Sequence, residues 1–108
     1  MPQKIMDKIR YKVVLLPDLT STGLLHSKII SYKPKRWNHP AEPVQKGKDG
    51  PGGLWCNKSR GQARSLQKYL KKTHGLDSIC FICIIDKILF ESSYRTKTNS
   101  LFLLDQVY

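Results

Sequence analysis

A chain of 108 residues has room for one domain, residues 1–108, because two cores of half that size would bury too little apolar surface to hold. Hydrophobic residues at 40% and charged residues at 25% match an ordinary folded domain and exclude a disordered chain. The formal net charge of +11 is concentrated: residues 1–75 hold sixteen basic and four acidic side chains, residues 76–108 three and four, so a polyanionic partner, nucleic acid foremost, is expected to meet the first part of the chain.

No apolar run approaches the roughly 18 residues of a membrane helix, and the first residues alternate charge with single apolar side chains. The expectation is an intracellular protein with no membrane partner. Three cysteines among apolar neighbours fit reduced thiols in a reducing compartment.

In chain order, Tyr11 to Leu16 is β-branched and apolar and stops at Pro17, the pattern of a strand ending at a turn. Asp18 caps a short helical piece through Leu25 or opens a turn, and Ile29 and Ile30 begin another short strand. From Ser31 to Gly53 four prolines and four glycines interrupt any period, which predicts a long loop over 31–53. Its first part sets Lys33, Lys35 and Arg36 beside Trp37, cations and an indole suited to a phosphate backbone and a stacked base; the plainer reading buries Trp37 as a loop anchor. The glycines up to Gly53 precede a strand rather than join a strand to a helix, so they match no phosphate loop and read as a hinge.

Leu54 to Cys56 makes a short strand, and then the clearest helix signal follows. Ser59 stands three residues before Gln62, the capping-box spacing; Ala63, Leu66 and Leu70 recur as a buried stripe; His74 and Gly75 supply the last turn and the left-handed stop. On its other side Arg60, Arg64, Lys68 and Lys72 follow at intervals of four, with Lys58 before them, Lys71 alongside and no acid between Lys58 and Lys72. This predicts one unpaired cationic ridge, whose mutual repulsion an external anion would relieve; a solvated face is the plainer alternative.

Ile79 to Ile85 is a continuous apolar run, the pattern of a central strand covered on both faces. Ile88 to Phe90 resumes it, Ser92 to Ser100 is polar, and Leu101 to Val107 reads as the last strand. The fold class is α+β: a small mixed or antiparallel sheet, one amphipathic basic helix and a long Pro/Gly loop.

Cys80 and Cys83 form a C-x-x-C pair, but residues three apart on a strand face opposite sides and cannot converge on one ion, so no metal is expected. Cys56, preceded by Trp55 and followed by cations, is a nucleophile candidate without an identifiable base. Glu91 ends an apolar strand before Ser92 and Ser93, at a cleft edge or simply at the surface.

The order of Tyr11-Lys-Val-Val-Leu-Leu16, Gly23-Leu-Leu-His26 and Gly53-Leu-Trp-Cys-Asn-Lys-Ser59 leading into Ala63, with apolar strands after them, resembles the small ADP-ribosyltransferase fold, including its DNA-modifying and toxin branches. The resemblance implies His26, Ser59 and Glu91 as catalytic positions and NAD as cofactor, with a late acid polarising the ribose. The chain departs from that pattern where Asn99 and Ser100 precede the last strand and where Tyr11 and Lys12 replace the early His or Arg.

Three functions follow as expectations. The first is a module that binds DNA or RNA without cofactor, through Lys33, Lys35, Arg36, Trp37, Lys58, Arg60, Arg64, Lys68, Lys71 and Lys72, with Trp55 a further stacking candidate. The second is an NAD-dependent enzyme acting on a nucleic-acid or protein target. The third is a basic inhibitor of an acidic protein surface.

Overall fold

The structure, a computed structural model, describes residues 8–21, 30–40 and 53–107. Among the described residues seven strands form one sheet: β1 (Ile9–Leu15), β2 (Trp37–Asn38), β3 (Leu54–Asn57), β4 (Ser78–Ile85), β5 (Ile88–Glu91), β6 (Arg95–Thr98) and β7 (Leu101–Gln106). A single helix among the described residues, α1 (Arg60–His74), follows β3. The strand order is β2-β7-β4-β1-β3-β6-β5, with every ladder antiparallel. The expected antiparallel form of an α+β fold is therefore the one found.

β1 and β4 make the centre, seven residue pairs long from Ile9 opposite Ile84 to Leu15 opposite Ser78. Alternation then sorts their side chains. Val13 and Cys80 face α1, packing with Ala63 and Leu70 and flanked by Tyr11, Leu15, Leu66 and Val107. Val14, Phe81, Cys83 and Ile85 face the other way, into a core completed by Tyr32, Leu54, Cys56, Leu101 and Leu103. The apolar run of β4 is thus buried along one face at Phe81, Cys83 and Ile85, and on the other at Cys80 under α1, while Ile82 and Ile84 beyond the helix are half-buried.

α1 forms where the sequence places it. Ser59 is extended at the N-cap, its Oγ accepts from the Gln62 amide, and the Gln62 side chain accepts from the Ser59 amide, a reciprocal cap worth about 1 kcal/mol. Gly75 stops the helix at φ 67°, its amide donating to the Lys71 carbonyl and the following Leu76 amide to the Leu70 carbonyl. Leu70 is wholly buried, which stabilises the helix on the sheet by about 1.5–3 kcal/mol.

Four expectations need correction or sharpening. Of the two alternatives after Pro17, the described part is a turn: Leu15 and Thr20 exchange backbone hydrogen bonds around it, and Leu19 takes a positive φ of 56°. The 31–53 segment is not loop throughout, because Trp37 and Asn38 pair with β7 as an edge strand; Asn38 fixes the approach by accepting from the Lys33 amide and donating to the Lys33 and Arg36 carbonyls. Residues 41–52, with the remaining glycines of the proposed hinge, lie outside the described residues. The polar stretch after Ser92 contains β6, whose Thr96, Lys97 and Thr98 are fully buried. A β-branched threonine suits a strand, and its hydroxyl is satisfied locally: Thr96 donates to Glu91 and Thr98 to the Ser100 carbonyl. Finally, Gly53 is a seat rather than a hinge: at φ 91° it lies against the Lys97 side chain, whose Cε would stand 2.7 Å from a Cβ placed there.

Cys80 and Cys83 point to opposite faces, as strand alternation demands. Burial pushes the Cys80 thiol up to about 11, against a small opposing effect of Arg60. A hydrogen bond with Cys56 and burial hold the Cys83 thiol well above its ordinary value. These are poor nucleophiles, since the thiolate is the reactive form. No described helix is long and apolar enough to cross a membrane.

Candidate nucleic-acid interface

The helix-bearing face of the sheet collects most of the expected binding residues. α1 lies over β4, β1 and β3 and turns Arg60, Arg64, Lys68, Lys71 and Lys72 to solvent, without an acid among its residues. The ridge is less uniform than its spacing suggests. Lys71 pairs with Asp77 at 2.8 Å, Arg60 sits over the Tyr11 ring at 5.9 Å, and Arg60 and Arg64 make further contacts. Lys68 and Lys72 have no hydrogen-bond or ion-pair partner among the described residues. Sequence spacing finds a ridge but not an acid that reaches it from the following turn, and Asp77 does so here.

Lys33, Lys35, Arg36 and Trp37 occupy the β2 edge. Trp37 is not a buried anchor: it is 45% exposed and meets Phe102 edge to face, ring centroids 5.8 Å apart. Trp37 stands opposite Phe102, between the inward-facing Leu101 and Leu103, so it shares the face that carries α1. Lys35 is spent on Asp105 at 2.9 Å, an exposed pair that contributes little to stability.

On the other side of α1 a cleft of about 460 Å³ opens between the first turns of the helix, β3 and the start of β6. Its walls include Trp55, Asn57, Ser65, Leu66, Tyr94 and Arg95. Trp55 is held edge-on by Phe90, and the Arg95 guanidinium lies 4.4 Å above its ring and 5.4 Å from that of Tyr94. The two tryptophans therefore flank the helix on one face of the sheet. Trp55 was readable from sequence as a stacking candidate; Tyr94 and Arg95 were not, because they belong to the strand entrance hidden in the polar stretch.

The three positions implied by the ADP-ribosyltransferase resemblance lie as follows. His26 is outside the described residues. Ser59 uses its hydroxyl in the helix cap. Glu91, at the end of β5, pairs with Thr96 and so faces away from α1, where Arg10 donates to it from Nη2 at 2.7 Å and Nε at 3.1 Å, Thr96 donates its hydroxyl, and Lys58 stands 3.8 Å away. Neither Ser59 nor Glu91 lines the cleft. No carboxylate is among the described residues that line it.

Burial alone would raise the Glu91 carboxyl, but the hydrogen bonds from Thr96 and Arg10, with the charges of Arg10 and Lys58, outweigh it and hold it below its ordinary value. A carboxyl depressed by folding stabilises the protein above the unfolded value, near 4.5, and loses that contribution as pH falls through the lower folded value. Glu91→Gln should therefore cost about 1.5 kcal/mol at neutral pH, the low end for charge-assisted hydrogen bonds, and progressively less in acid. Urea denaturation of both proteins at neutral and acidic pH measures this; a cost independent of pH would show that the ion pair is not the source.

Buried cations also serve the fold here. Lys12, 6% exposed, donates to the Trp55 carbonyl at 2.6 Å and lies 4.8 Å from the Tyr32 ring centre. Burial raises the Tyr32 phenol above its ordinary value against the opposing effect of Lys12. Arg10 and Lys12 are thereby removed from the count of cations available to a partner.

Comparison with known proteins adds no family: no family model, curated protein or solved structure matches the chain.

Proposed function

We propose that the protein is a nucleic-acid-binding module that grips the phosphate backbone with α1 and the Lys33–Trp37 edge and needs no cofactor. The observation that carries this reading is a fifteen-residue helix without a single acid, turning five cations outward, of which Lys68 and Lys72 lack any described partner. Like charges four residues apart oppose helix formation by about 0.2–0.5 kcal/mol per pair, and phosphates laid along the helix relieve that repulsion while releasing their own counterions. Trp37, exposed on the face that carries α1 and close in the chain to Lys33 and Arg36, extends the contact with a ring that accepts any base.

Titration of labelled single- and double-stranded DNA and RNA at two salt concentrations tests the reading. Binding that weakens steeply with salt is expected. No binding to any of the four at low salt would overturn it.

A further inference from the structure

We infer that the cleft beside the helix takes one unstacked nucleobase, so that the protein prefers single strands; the inference rests on the backbone-binding reading above and adds to it a site of its own. Three observations carry it. The cleft, at about 460 Å³, falls within the roughly 300–1,000 Å³ of small-molecule sites and exceeds what packing defects leave. Its walls combine apolar side chains, Val13 and Leu66, with the polar groups of Asn57 and Ser65, the mixture a base needs for its faces and its edge.

The third observation is Arg95. Its guanidinium is stacked on Trp55 and near Tyr94, yet it makes no hydrogen bond or ion pair with any described residue, and its Nε is shielded from solvent without an acceptor. An arginine held over an indole at 4.4 Å, its donors unspent, is a prepared surface. A base laid on its outer side completes a Trp55–Arg95–base stack, and a base carbonyl or the adjoining phosphate accepts from the guanidinium. A base inside a duplex has both faces covered and cannot enter without leaving the helix, which costs a few kcal/mol. Hence single strands are favoured.

The backbone path supports the same geometry. The cleft opens against the first turns of α1, at Gln62, Ser65 and Leu66, so a strand tracking the helix cations passes its mouth. Gln62 itself is occupied, its amide donating to the Ser93 carbonyl and its oxygen closing the cap, and it acts only as a wall.

The test uses Trp55 emission in a Trp37→Phe background, where it is the remaining tryptophan of the two. Three probes are titrated at low salt: a short oligothymidylate, the same strand made wholly abasic, and inorganic polyphosphate. Oligothymidylate should change Trp55 emission and bind roughly 5- to 150-fold more tightly than the abasic strand, the range of a single stacked base. Arg95→Gln should abolish most of that difference, lowering oligothymidylate affinity far more than abasic affinity, which falls only by the loss of one cation. Equal affinities with unaltered Trp55 emission would remove the base site and leave the backbone reading intact. A base-dependent gain that survives Arg95→Gln would place the base elsewhere and overturn the assignment. Failure of all three probes to bind would defeat the backbone reading and this inference with it.

Discussion

Gly53→Ala should lower the stability of the fold by about 1–3 kcal/mol, read as a fall in the urea midpoint at constant slope. Two independent causes act at this position. At φ 91° a residue with a side chain occupies sparsely allowed backbone space, whatever lies around it. A Cβ there would also stand 2.7 Å from Lys97 Cε and 3.0 Å from its Cγ, and Lys97 is wholly buried in the strand opposite. A surface lysine would swing aside; one enclosed on all sides moves only by displacing its neighbours. Since Trp55 and Lys97 are opposite one another in the β3–β6 ladder, the disturbance reaches the cleft wall directly. An unchanged midpoint would show that Lys97 has room the packing denies it.

The double variant Lys68→Ala, Lys72→Ala should weaken binding to a single strand by about 25-fold at 0.1 M salt and reduce the slope of log affinity against log salt by about 1.4, because each phosphate contact contributes about 0.7 to that slope. These two lysines are chosen because nothing described competes for them, whereas Lys71 is balanced by Asp77 and Lys58 by Glu91. Stability should rise slightly or stay constant, since the removed charges repel their neighbours along the helix. Lys87→Ala, in the exposed turn between β4 and β5, is the control and should leave the slope alone. A slope unmoved by the double variant would show that α1 is not the contact.

The helix was legible to the residue at its cap and its stop because both signals are local: a hydroxyl three residues before an amide, and a glycine that accepts positive φ. The central strand was legible because seven consecutive apolar residues leave no other placement. β6 was not, because its burial depends on neighbours remote in sequence: Thr96 is satisfied by Glu91, and Arg10 reaches across from β1 to both. The candidate interface divides the same way. Cations at intervals of four announce a helix face, but whether each is available is decided by acids such as Asp77 and Asp105 that only folding brings near. The cleft belongs to the second kind, since Arg95 and Trp55 are forty residues apart and meet through a ladder the polar composition of β6 conceals.

The strand order has a consequence for how the protein fails. The run from Ile79 to Ile85, uncharged and rich in β-formers, is the kind of segment that seeds cross-β assembly when released. The native sheet locks it between β1 and β7 and, among the described residues, ends instead on β2, two residues long, and on β5, four residues long with its register shifted between Ile88 and Phe90. Neither edge offers a visiting strand more than a few ladder bonds. Folded molecules are thus poor templates for one another, and aggregation follows the rate at which the central strand is set loose.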